Sequence, residues 1–129
     1  MTHRLPVRVY YEDTDMAGIV YYANYLRFIE RARSEVVELL GVDQRAMREM
    51  DSVFAVTRVE ADYLGSARLG DRLIIKSDHY AMGAVRWVFD QVVELDGTPI
   101  FKAKVTAACM TTAGKPTRLP AEIRAYLAK

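Results

Sequence analysis

Cysteine occurs once in the 129 residues, at Cys109, and histidine twice, at His3 and His79. No internal disulfide can form, and no Cys/His spacing suggests a zinc site, which needs about four nitrogen or sulfur ligands. A reducing compartment, the cytoplasm, is the expected setting. Net charge is equally scarce: 18 Lys+Arg stand against 17 Asp+Glu, for a formal charge of +1. A phosphate-tracking surface leaves a basic excess or stripe, so nucleic acid is excluded as a partner. No apolar run approaches the roughly 18–20 residues of a membrane span, and the first residues, Met1 to Pro6, lack the apolar centre of a signal peptide. Glycine and proline, seven and four in number, form no linker, and no internal repeat or low-complexity tract divides the chain. One domain over residues 1–129 is therefore expected. With 51% hydrophobic residues it can hold its own core, burying somewhat under roughly 70% of the unfolded surface.

Periodicity sets out the elements. Val7, Val9 and Tyr11 alternate with Arg8, Tyr10 and Glu12, which predicts a first strand with these three side chains inward. From about Asn24, Tyr25, Phe28, Ile29, Ala32, Val36, Leu39 and Leu40 recur at spacings of three and four. They predict a long amphipathic helix, with Asn24 as its N-cap and Gly41 as its stop. A shorter helix is expected from Asp43 to Met50. Strands follow over Phe54–Tyr63, Leu73–Tyr80, Val85–Glu94 and Pro99–Thr112, and Asp96-Gly97 is a strong hairpin signal. Strands joined by short turns run antiparallel, and one amphipathic helix has one stripe to bury. The economical arrangement is α+β, with a curved antiparallel five-stranded sheet wrapped around the long helix. Val88 and Val92 make the outer sheet face partly apolar, which points to a homo-oligomer, a dimer or tetramer.

Aromatic and acidic residues are concentrated at one end. Five of the eight tyrosines, Tyr10, Tyr11, Tyr21, Tyr22 and Tyr25, fall within sixteen residues, leaving Tyr63, Tyr80 and Tyr126 as ordinary. Glu12, Asp13 and Asp15 crowd the interval between the first strand and the long helix. Free N–H groups at a helix start favour negative charge, and they can also hold a carbonyl oxygen as it gains charge while a carboxylate attacks or activates water. Turn and cap roles for the same acids remain open on the residues alone.

The stretch Tyr11-Glu12-Asp13-Thr14-Asp15, then Ala17-Gly18-Ile19-Val20-Tyr21, Asn24-Tyr25 and Glu30-Arg31-Ala32-Arg33 resembles the signature of the 4-hydroxybenzoyl-CoA thioesterase family of hotdog-fold proteins. Within that family it is most similar to the acyl-CoA thioesterases associated with the Tol-Pal envelope system. The resemblance spans nearly the whole chain and implies a hotdog fold, acyl-CoA as substrate, and no metal or redox cofactor. It implies Asp15 as nucleophile or general base on the thioester and the Tyr22 N–H as the donor that polarises its carbonyl. Tyr11 matches a tyrosine proposed for the site in the Tol-Pal-associated group. Many members of that group carry histidine where Tyr22 stands; the backbone role survives this change, whereas a proton-transfer role for the side chain does not.

Other candidates follow from chemistry. Gly18 suits a close approach of backbone to the thioester, or simply a loop at positive φ. Tyr25 is a candidate wall of the acyl pocket as well as helix core. Asp13 is a second candidate base, with hydrogen bonds to loop N–H groups as its alternative role. Arg58, Arg68 and Arg86 could hold the phosphates of coenzyme A. His3 and His79 lie far in sequence from Asp15 and read as tail and strand residues, and Cys109 as a small buried hydrophobe. A hotdog hydratase or dehydratase acting on a thioester, and a non-catalytic acyl-CoA or envelope-partner binding module, are the competing readings.

Overall fold

Alternation of Leu5 and Val7 with Arg4 and Arg8 sets the first strand, β1 (His3–Arg8), in the computed structural model, which describes residues 2–127. The strand begins four residues earlier than the periodicity suggests. It also stops earlier, because Tyr11–Asp13 curls into a single 3-10 turn. Tyr11 is consequently 82% exposed instead of turned inward; of the three residues expected to face the core, Val9 is the fully buried one.

The sequence motif that follows builds α1 (Asn24–Leu39), whose stripe of Tyr25, Phe28, Ile29, Ala32, Val36 and Val37 is buried. Gly41, at φ 81°, takes the left-handed exit that ends it. Asn24 is not the N-cap. Ala23 holds that position, and the buried Asn24 side chain is the first residue of the helix, donating from Nδ2 to the Asp13 carbonyl at 3.1 Å. The short helix α2 (Gln44–Glu49) is capped by Asp43, whose carboxylate accepts from the N–H groups of Arg45 and Ala46.

The remaining strands are β2 (Val53–Tyr63), β3 (Arg72–Met82), β4 (Arg86–Leu95) and β5 (Thr98–Met110). All neighbours are antiparallel, in the order β1-β3-β4-β5-β2. The β4–β5 turn places Asp96 and Gly97 at positive φ, 50° and 79°, as the Asp-Gly pair requires. A third helix, α3 (Ala121–Leu127), is an addition to the expected elements. It docks on β3, where the Tyr126 ring stacks on His79 at 5.3 Å between centroids.

One face of the sheet carries Leu73, Ile75, Trp87, Phe89, Val93, Phe101 and Val105, all buried with the helix stripe. The wrap is partial. Helix α1 packs on β1, β3 and β4, so the same face of the edge strand β2 stays open, with Val56 and Val59 exposed. The outer face is partly apolar, with Ile74, Tyr80 and Met82 of β3 exposed on it. Val88 is fully buried there and Val92 half-buried, flanked by exposed Asp90, Lys102 and Lys104. Further uncovered apolar surface lies on β2. Among the described residues, no helix is long and apolar enough to cross a membrane.

Candidate active site

The loop between β1 and α1 is held by its own backbone. Asp15 N–H donates to the Ile19 carbonyl at 2.9 Å, Gly18 N–H returns to the Asp15 carbonyl at 3.0 Å, and Tyr21 N–H reaches the Asp13 carbonyl at 2.9 Å. Gly18 stands at φ 79° with no atom within 4 Å of where a Cβ would lie, so its requirement is conformational. Three further bonds tie this loop and the end of β1 to the segment between β2 and β3. Val20 N–H donates to Ala67, Val9 N–H to Asp71, and Gly70 N–H to Val9.

The two candidate bases separate cleanly. Asp13 is buried, and its carboxylate accepts the Tyr10 N–H at 2.8 Å. Its carbonyl serves both Tyr21 N–H and the Asn24 side chain, so Asp13 holds the 3-10 turn to the helix start. Asp15 is exposed. Its carboxylate accepts one N–H, from Ala17 at 2.9 Å, and its remaining lone pairs face outward from the loop.

Tyr22 lies just before α1. Among the described residues, no acceptor is found for its N–H, and no side chain caps this helix end. A free donor at the positive end of a sixteen-residue helix suits a developing oxyanion. The Tyr22 ring meets Tyr21 edge-on at 5.0 Å and Tyr63 at 6.0 Å.

Tyr63, taken as ordinary from the sequence, is the residue that sequence reasoning missed. Its hydroxyl donates to the Tyr22 carbonyl at 3.1 Å, and its ring packs on Tyr25 and Phe101. Burial first, then the neighbouring Tyr22, pushes its pKa upward, so the hydroxyl stays a donor. The only sequence signal was its position at the end of a strand. Tyr25, in contrast, is 2% exposed, stacks on Phe101 at 5.2 Å and accepts the Ala67 N–H on its hydroxyl. It supports the wall from behind and offers no surface to a ligand.

The three arginines divide. Arg68 bridges by backbone to Ile19, beside the Asp15 loop. Arg58 points from the outer face of β2 and pairs with Glu60 at 3.0 Å. Arg86 sits at the far end of the β3–β4 hairpin, opposite Met82 and ten residues along β3 from Arg72, or about 33 Å at strand rise. Neither Arg58 nor Arg86 is brought to the loop of its own chain. His3 is not in a tail, and His79 is the strand residue expected. His3, within β1, contacts Glu35 at 3.0 Å, and His79 accepts the Trp87 indole N–H at 3.1 Å, both on the helix side of the sheet and away from Asp15.

Residues 9–127 match the family model described as the thioesterase-like superfamily. The chain belongs to the thioesterase-like superfamily. Its relatives include the acyl-CoA thioesterase YbgC of Haemophilus influenzae, 37% identical over 93% of this chain and 90% of that protein. The acyl-CoA thioester hydrolase YbgC of Escherichia coli O6:H1 is 39% identical over 93% and 91%. Among solved structures, a probable thioesterase from Bartonella henselae superposes with a TM-score of 0.87 at 32% identity, covering 93% of this chain and all 100% of that one. The 1,4-dihydroxy-2-naphthoyl-CoA thioesterase of Synechocystis superposes with a TM-score of 0.93 over 100% and 97% of the two chains, and at 20% identity this likeness concerns the fold alone. The sheet and helix of this thioesterase-like chain are therefore the hotdog arrangement.

Proposed function

We propose that the protein is an acyl-CoA thioesterase, hydrolysing the thioester to a carboxylic acid and free coenzyme A. The observation that carries the reading is an exposed, singly anchored carboxylate at Asp15 in the same β1–α1 loop as a Tyr22 N–H without an acceptor among the described residues, in a chain 37–39% identical to acyl-CoA thioesterases. Asp15 attacks the thioester carbon or takes a proton from the water that does. The Tyr22 N–H receives the charge that gathers on the carbonyl oxygen, the C–S bond breaks, and the thiolate leaves and is protonated. Tyr11, exposed in the same loop, is a further residue of the site, and Arg68, whose backbone bridges to Ile19, is the arginine best situated for a coenzyme A phosphate. Hydration or dehydration of the acyl chain would call on a histidine, and His3 and His79 are engaged elsewhere.

We further propose that the domain works as a homo-oligomer in the cytoplasm, with the open side of β2 meeting a second copy. Thiol release from a panel of short, long and aromatic acyl-CoAs tests the function. Asp15→Asn is expected to lower kcat by about 10²–10⁴-fold, the usual contribution of a positioned base. Equal rates in wild type and Asp15→Asn would remove Asp15 from the mechanism, and no release from any substrate would leave a binding module.

A further inference from the structure

Asn24, the buried first residue of α1, serves two different peptide groups of the β1–α1 loop with its two donors. Its backbone N–H donates to the Tyr21 carbonyl at 2.8 Å, and its side-chain Nδ2 donates to the Asp13 carbonyl at 3.1 Å. The Tyr21 carbonyl belongs to the same peptide group as the Tyr22 N–H. In a trans peptide the C=O and N–H point in opposite directions, and no peptide bond among the described residues is cis. Holding that carbonyl at Asn24 therefore turns the Tyr22 N–H to the opposite side, in keeping with its lack of an acceptor among the described residues.

The second donor reaches the part of the loop that carries Asp15. Asp13 stands two residues before Asp15, and the loop between them and the helix is closed by the Asp15–Ile19 hydrogen bond and the Thr14–Val20 bridge. Besides Asn24 Nδ2, the Asp13 carbonyl accepts the Tyr21 N–H at 2.9 Å. That single backbone bond would leave the loop a pivot. A second donor, on a side chain rooted in the helix, fixes direction as well as distance. Asparagine suits the place because it is short and brings a neutral NH₂ to a carbonyl; an aspartate of the same shape would bring only lone pairs when ionised, and alanine nothing.

We infer that Asn24 is a positioning residue for the hydrolysis, holding the Tyr22 N–H and the loop that carries Asp15 in one fixed relation. The inference rests on the thioesterase reading, which gives those two groups their tasks. Asn24 acts through the Tyr21 peptide and Asp13, without touching the reacting atoms. A misplacement of about 1 Å between such groups costs on the order of 10²-fold in rate. The loss falls on the transition state, where the carbonyl oxygen carries charge, and little on ground-state binding.

Thiol release by wild type, Asn24→Ala and Asn24→Asp, measured with the acyl-CoA that wild type cleaves best and well below the melting temperature of each protein, tests the assignment. Both variants should lose about 10²-fold in kcat, with KM changed by less than about threefold. Asn24→Asp keeps the shape of the side chain and carries the test if Asn24→Ala melts early. A residue that only stabilised the helix start would lower Tm and leave the kcat of the folded protein near that of wild type; this result overturns the inference, as does a loss that lies in KM. Hydrogen exchange followed by mass spectrometry is the readout that needs no turnover. Peptides covering Asp13 to Asn24 should exchange about tenfold faster in both variants, while those of β4 and β5 keep the wild-type rate. Unchanged exchange in the loop overturns the inference. If wild type releases no thiol from any acyl-CoA, the thioesterase reading fails, while the exchange rates still decide whether Asn24 holds the loop.

Discussion

Asp13 and Asp15 show how two like residues, two positions apart, receive different tasks from their hydrogen bonds. Spacing identified the crowd of acids but could not rank them, because ranking depends on which carboxylate is spent on the loop's own N–H groups. The resemblance favoured Asp15, and the geometry gives a physical reason: Asp13 is buried and committed, and Asp15 holds one N–H and faces outward. Tyr63 was illegible for a related reason. It is 41 residues from Tyr22 in sequence, and its contact with the Tyr22 carbonyl exists only because β2 ends beside the helix start. Removing that hydroxyl in Tyr63→Phe should lower kcat about two- to tenfold, the value of one ordinary hydrogen bond, with KM and thermal stability little changed. A positioning role for the bond requires that split. If kcat is unaltered, the Tyr22 peptide keeps its place without Tyr63.

Elements were more legible than residues, and their boundaries were least legible where local chemistry overrode period. The long helix and the four later strands follow from spacings of three to four and of two, and the Asp-Gly turn from its dipeptide. The first strand was misplaced because Tyr11 continues the alternation while Asp13, accepting the Tyr10 N–H, closes a 3-10 turn instead. Asn24 looked like a cap because asparagine so often is one; here its side chain is drawn under the helix to Asp13. Asp43 is the residue that does cap, with two N–H groups on its carboxylate. Helix α2 has six residues and buries none of them, so the cap contributes a large share of its stability. Asp43→Ala should destabilise the protein by about 1 kcal/mol and lower Tm by about 4 °C, whereas Asp43→Asn stays within a few tenths of a kcal/mol. Thermal unfolding of the pair decides it, and equal melting of all three proteins would show the cap to be idle.

At the scale of the whole molecule, the sequence indicated a partly apolar outer sheet face, and Ile74, Tyr80 and Met82 of β3 are exposed on it. Around Val92 of β4 that face is charged, and further apolar exposure lies on the edge strand β2, where Val56, Val59 and Tyr63 are exposed beside Leu26 of α1. A long edge strand with an apolar face is a ready surface for a second copy. Light scattering of wild type should therefore exceed the 14.7 kDa of one chain, and Val59→Lys should shift it toward that mass; a monomeric wild type at micromolar concentration removes the proposal.

Acid stability is another global property, and the half-buried His79 contributes to it. Burial lowers the pKa of His79, and its Nδ1 is already occupied as acceptor of the Trp87 N–H, a bond that the imidazolium cannot keep. Between the ordinary histidine value of about 6.5 and the lowered folded one, the unfolded chain binds the proton more readily, so stability rises with pH there. The contribution of neutral His79 is thus complete above about pH 6.5 and is lost as pH falls below it. Asp51, held low by hydrogen bonds from Thr112, acts only in a more acidic window, as pH falls below the ordinary aspartate value of about 3.9. Denaturant unfolding of wild type should weaken progressively as pH is taken from about 7 to 5. His79→Gln, which can still accept from Trp87 but does not titrate, should show a flatter dependence over the same range. Parallel curves for the two proteins would mean that protonation of His79 leaves the folded state undisturbed.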